Sequence, residues 1–151
     1  MSDTGNLLVA AQGACLAGLA WPGRPRWALP AAVTAGAAGL AAVGATVLAE
    51  GARELGPALR AHPAPAQAAV LRTDGVFGVV RHPLYAGVLA VATGVAVLRR
   101  RREPLLALAA LSAVLHVKAG YEEGLLRERF GSAYDDYAAR VPRLLPVPGL
   151  G

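Results

Sequence analysis

The sequence predicts an all-α fold: an integral membrane helical bundle of about four transmembrane helices, the last two forming a short hairpin, with an amphipathic C-terminal tail. Three observations predict it. Residues 6–21, 27–49, 83–98 and 104–115 contain no Asp, Glu, Lys, Arg or His. Hydrophobic residues make up 55% of the 151 and charged residues 17%, against about 25% charged in an average soluble chain; mean hydropathy is +0.44. Finally, the apolar content is mostly Ala, Leu and Val, with 18 Gly but only 2 Phe and 1 Met. Small side chains of this kind let helix backbones approach closely in lipid.

The elements follow in chain order. A crossing helix needs about 20 apolar residues, so residues 6–21 span when their ends are stretched. Asp3 and the lack of a basic leader argue against a cleaved signal peptide there. Trp21 and Trp27 flank Arg24 and Arg26, a pattern that suits a turn at the membrane interface. The second helix occupies 27–54 and spans easily. Gly56, Pro57, Pro63 and Pro65 break up the next segment, and Pro83 suits the first position of a third helix, over 83–99. Arginines 99–102 form the tip of a hairpin and snorkel there; a fourth helix runs over 104–130. Pro142, Pro146 and Pro148 stop regular structure in the polar tail. The chain reads as one domain: two N-terminal helices in 1–55 and the motif-bearing region in 56–151.

This plan puts both termini, 50–82 and the tail on one face, and the two basic turns on the other. The net charge of +5 does not indicate nucleic acid: four of the fifteen basic residues are the run 99–102 between apolar segments, a membrane-edge cluster. The lone Cys15 excludes a disulfide framework or a multi-cysteine metal site, and no metal is expected. The short turns carry six arginines, which by the positive-inside rule would face the cytoplasm. A cytosolic cofactor requires the reverse, and the hairpin need not cross fully.

Every motif lies on the first face. Arg81-His82-Pro83-Leu84-Tyr85 begins a helix at the membrane surface; alone it reads as an interfacial anchor. His116 and Lys118 follow the fourth apolar run directly, and ionisable groups at such depth usually face a cavity or a partner. Lys118 and Glu122, like Glu123 and Arg127, stand four apart, the spacing of helical ion pairs. Phe130-Gly131-x-x-Tyr134-x-x-Tyr137-x-x-x-Val141-Pro142-Arg143 alone reads as an amphipathic segment on the membrane.

Taken together, from Leu71 through Arg143, these elements resemble the isoprenylcysteine carboxyl methyltransferases and the related phospholipid methyltransferases. The resemblance covers about half the chain; the first two helices match only in being apolar. It implies a compact helical membrane fold that binds S-adenosylmethionine beside the bilayer and methylates a lipophilic acceptor. Cofactor contacts would come from Leu71, Phe77, His82, Pro83, Leu84, Tyr85 and Glu122. Lys118 would face the acceptor and, with Arg81 and Glu123, make up the catalytic set. Two departures stand out: Phe77 replaces a common tyrosine, and Lys118 replaces an arginine whose fork suits a carboxylate.

The residue chemistry fits this reading. Arg81 and His82 suit the cofactor's carboxylate, and Glu122 or Glu123 suits its ribose hydroxyls or ammonium. A carboxylate acceptor needs no general base; an amine or thiol does, with His116, His82 or Glu123 as candidates. The acceptor class stays open among an isoprenoid carboxylate, a phospholipid amine and a thiol. Two other readings stand beside it: an NADPH-dependent, sterol-reductase-like enzyme, and a non-catalytic membrane subunit that binds lipid. The expected location is a bacterial inner membrane with the site facing the cytoplasm.

Overall fold

The computed structural model describes residues 3–59 and 70–145, and every regular element among them is helical. The helices are α1 (Asp3–Ala20), α2 (Ala31–Leu55), α3 (Pro83–Arg99), α4 (Arg102–Phe130) and α5 (Ser132–Arg140), with short 3-10 turns at Gly56–Ala58 and Gly75–Gly78. Pro63, Pro65, Pro146 and Pro148, read above as breakers, lie outside the described residues.

Local sequence sets most boundaries. Helix α2 starts at Ala31, four residues later than expected, because Pro30 is extended at its N-cap (φ −57°, ψ 146°) and a residue before proline avoids the helical region. Pro83 is the first residue of α3, where its missing N–H costs no hydrogen bond. Arg100, at φ 55°, ends α3 in the left-handed region, and Gly131, also at φ 55°, ends α4. Residues 132–140, expected as part of a polar tail, form the separate helix α5.

α2 packs on α3, α3 on α4, and α4 on α1. The α2–α3 seam is a close approach: a Cβ at Gly44 would stand 2.8 Å from Gly87 O, and one at Gly94 would collide with Ala37 O. Small residues at such seams let dispersion contacts and backbone dipoles drive association in lipid. The buried core is Leu19, Ala92, Ala96, Leu111 and Leu115.

Two helices, α2 and α4, are long and apolar enough to cross a membrane; only 11% of α2's most apolar window and 28% of α4's are buried within the molecule. Their remaining apolar surface includes Val33, Leu40, Val43, Leu106 and Val117, a surface that suits lipid and not water. The 17 residues of α3 and 18 of α1 are shorter. Helix α4, at about 1.5 Å per residue, runs roughly 43 Å, beyond the ~30 Å hydrocarbon layer. Its far end, with Glu122 and Glu123, therefore emerges on the motif face. The architecture is that of an all-helical membrane protein.

Candidate active site

The motif face is organised around one buried carboxylate. Glu123 is 0% exposed and sits on the last stretch of α4. Arg143 grips it with two donors, Nε to Oε1 at 2.9 Å and Nη2 to Oε2 at 2.7 Å, a fork geometry that strengthens a charge-assisted pair. Arg81 donates to Oε1 from Nε at 3.3 Å and from Nη2 at 3.1 Å. His82 Nε2 lies 3.3 Å from the same oxygen, and Arg127 Nη2 is 3.8 Å from Oε2.

The chain ends of the site are tied by backbone. Arg81 N donates to Pro142 O at 2.8 Å and His82 N to Arg143 O at 3.0 Å. Arg81 Nη1 reaches the carbonyls of Ala138 and Val141, so one side chain ties the start of α3 to the end of α5. Tyr137 donates its hydroxyl to Phe77 O at 2.6 Å. Tyr134 and Tyr137, at 1% and 3% exposed, turn inward, so α5 is a wall of the site and not merely an amphipathic tail on a membrane. On the other side, Glu54 of α2 accepts from Val76 N at 3.2 Å. Gly75, at φ 55°, holds a conformation that strains other residues, and a Cβ there would also displace the Glu54 carboxyl from Val76 N.

Next to this knot lies a second group. His82 stacks on Tyr85 at 5.3 Å and 2° between planes. Tyr85 donates to Glu122 Oε2 at 2.9 Å, and the same oxygen is 3.6 Å from His82 Nδ1. Both imidazole nitrogens thus face a carboxylate, and only the doubly protonated ring can donate to both. Burial alone favours the neutral ring, but the hydrogen bonds and charges of Glu122 and Glu123 outweigh it and raise the His82 pKa. Burial pushes the Tyr134 hydroxyl up to about 12, and that oxygen has no partner among the described residues.

Lys118 is 1% exposed. Its ammonium donates to Gln12 Oε1 of α1 at 2.6 Å and stands 5.3 Å from the Tyr85 ring centre. Of the two spacings read as ion pairs, Glu123–Arg127 forms, whereas Lys118 turns to α1. His116 is exposed, apart from the cluster.

The structure therefore brings Arg81, His82, Pro83, Tyr85, Lys118, Glu122 and Glu123 to one end of α3 and α4. Phe77 joins through its carbonyl, Leu84 packs near the Gly51 backbone of α2, and Leu71 is half-buried in the approach segment. Arg81, expected to meet a ligand, is already engaged by Glu123 and two carbonyls. Gln12 and the grip of Arg143 escaped the sequence reading. An amide in an otherwise uncharged span was the available sign of the first, and Arg143's place at the end of the tail motif the sign of the second.

No protein-family model matches the chain, and no solved structure is similar to it. Among curated proteins it is similar to Protein-S-isoprenylcysteine O-methyltransferase B of Arabidopsis thaliana, with 38% identity over 79 residues. That similarity covers 50% of this chain and 39% of the plant protein.

Proposed function

We propose that this chain is an S-adenosylmethionine-dependent methyltransferase acting on a lipophilic acceptor at the membrane surface. The observation that carries the proposal is the convergence of His82, Tyr85, Glu122 and Glu123 at the membrane-exit end of α4. The partial likeness to a plant O-methyltransferase supports the same chemistry.

The donor set fits the cofactor. Glu122 has a 28% exposed side chain and, among the described residues, meets Tyr85 and His82 through Oε2. Oε1 is left to accept from an ammonium or a ribose hydroxyl. Three guanidiniums (Arg81, Arg127, Arg143) face Glu123, with Arg127 shared with Asp135, so the knot is cationic and this end favours a carboxylate. With Arg81 engaged, His82 is the cation nearest to offer itself.

When bound, S-adenosylmethionine supplies an electrophilic methyl on its sulfonium. The chain's part is to align and to exclude water. Tyr85 holds Glu122 in position, and the Arg81–Glu123–Arg143 knot fixes the start of α3 on which His82 and Tyr85 are mounted. Phe77, Leu71, Pro83 and Leu84 supply apolar lining. Lys118, anchored by Gln12 over the Tyr85 ring, faces the acceptor that enters from the bilayer. In this reading Arg81 and Glu123 position, and His82, Glu122 and Lys118 contact ligands. The site faces the cytoplasm of a bacterial inner membrane.

The test is calorimetric titration of the detergent-purified chain with S-adenosylhomocysteine, beside His82→Ala and Glu122→Ala. Micromolar binding by wild type, weakened at least tenfold in both variants, is the expected result. A folded wild type that ignores this ligand and binds NADPH instead would sink the reading in favour of a reductase.

A further inference from the structure

The opposite end of the bundle carries a polar constellation that methyl transfer does not use. There the α1–α2 turn and the α3–α4 turn close on each other. Arg26 N donates to Arg100 O, Arg99 Nη2 to Ala20 O and Arg101 Nη2 to Trp21 O, each at 2.9 Å. The arginines at this tip therefore clamp the neighbouring turn and do not simply snorkel.

Beside the clamp opens a cleft of about 530 Å³ lined by Trp21, Gly23, Arg24, Arg26, Arg101 and Glu103. Arg101 is only 4% exposed. Its guanidinium fills the place of a side chain at Gly23, where a Cβ would collide with Nη1 and Cζ. Arg101 Nε has no hydrogen-bond partner among the described residues; Glu103 Oε2 stands 3.8 Å away, and Glu103 Oε1 pairs with Arg26. The Arg101 guanidinium is thus held by Trp21 O and only loosely balanced by Glu103, which leaves its positive charge available beside the cleft.

Two further observations give the occupant's nature. The turns carry Arg24, Arg26 and Arg99–Arg102 against the single carboxylate of Glu103, and α4 begins here without a side-chain cap, which adds a positive helix end. This surplus of positive charge favours an anion. Trp21, 66% exposed, lines the cleft; Trp27, 37% exposed, follows Arg26, and Leu105 and Leu106 present apolar surface on the first turn of α4. Such a belt of tryptophan and arginine lies at the headgroup level of a bilayer.

We propose that this cleft binds the phosphate of an anionic phospholipid headgroup, with Arg101 and Arg24 as its cationic ligands. A lipid phosphate there, with Glu103 on Arg26, offsets part of the charge of the short turns, which eases their placement on the outer face, away from the cytoplasm. This reduces the clash between loop charge and the side a cytosolic cofactor requires.

Of the chain's 2 tryptophans, Trp21 lines the cleft and Trp27 follows directly on its Arg26, so tryptophan emission reports on it. The full chain is reconstituted in phosphatidylcholine bilayers containing a few mole per cent of dibrominated phosphatidylglycerol or dibrominated phosphatidylcholine. Brominated phosphatidylglycerol is expected to quench tryptophan emission about threefold more per mole. Arg101→Gln and Arg24→Gln should each remove most of that excess. Arg24 is exposed, so its variant keeps the test valid if Arg101→Gln does not fold. Equal quenching by the two lipids, or an excess that survives Arg24→Gln in a folded protein, overturns the proposal. Displacement of the quencher by millimolar inorganic phosphate assigns the cleft to a soluble anion and overturns the lipid.

Discussion

At the residue scale, Glu123 is the group on which the site's geometry rests. It is fully buried and accepts from Arg81, His82 and Arg143. Removing one partner from a buried charge network leaves the others uncompensated, at a cost of about 3–5 kcal/mol. Glu123→Gln is therefore expected to lose that much stability, read from detergent-induced unfolding; a loss below about 1 kcal/mol would show that water already shields the cluster. Arg143→Lys tests the fork, since lysine is a point donor without the planar geometry, and is expected to lose part of the same stability in the same measurement.

His82 gives the site a pH dependence. Its folded pKa lies above the ordinary value because Glu122 and Glu123 outweigh its burial. The folded ring binds its proton more tightly than the unfolded one, so its contribution is complete below the unfolded value of about 6.5. That contribution is lost as pH rises through the folded value. Thermal unfolding in detergent should accordingly show a Tm that falls as pH climbs from about 6 toward 9, and His82→Gln should flatten the fall. An identical slope in the variant would assign the effect to other groups.

At the scale of elements, the α2–α3 seam decides how the helices meet. Glycine was legible in the sequence as an abundance, but which glycines face a neighbour was not. A Cβ at Gly44 meets Ala90 Cβ at 2.7 Å and Gly87 O at 2.8 Å, whereas one at Gly39, on the same helix, meets nothing within 4 Å. Gly44→Ala is expected to cost about 1–3 kcal/mol through overpacking. Gly39→Ala should be neutral or stabilising by up to about 1 kcal/mol through helix propensity. Comparing the two by unfolding in the same detergent separates seam geometry from propensity; equal effects would mean the seam can relax.

Element boundaries followed local chemistry where proline or glycine imposed it, as at Pro83 and Gly131. They departed from it in α5. The spacing of Tyr134 and Tyr137 announced one face, but not whether that face met lipid or protein. Only the return of residues 141–143 to pair with 81–82 turned it inward.

For the whole molecule, the expected arrangement sets the motif face in the cytoplasm and the arginine turns outside. Ser132 and Arg102 are both exposed and lie at opposite ends. With the lone Cys15 replaced by Ala, a cysteine at 132 should resist a membrane-impermeant maleimide in intact bacterial cells, and one at 102 should react. The opposite pattern would reverse the orientation, and protection of both would mean that the α3–α4 hairpin dips in without crossing.

The sequence by itself determined that this chain is helical, apolar over several stretches and polar at one end in a chemically specific pattern. Those properties follow from composition and short-range periodicity, which each segment carries alone. It also marked His82, Tyr85, Glu122 and Glu123 as chemistry-bearing. The tertiary structure alone decided their partners: that Arg81 is engaged by Glu123 and carbonyls, that Arg143 grips the same carboxylate from 20 residues away, and that Lys118 reaches Gln12 across 106. It decided equally that Arg101 is buried in a cleft with an unpaired donor. Such pairings depend on where the chain returns in space, and a charge's role is set by which neighbours satisfy it, something no local pattern encodes.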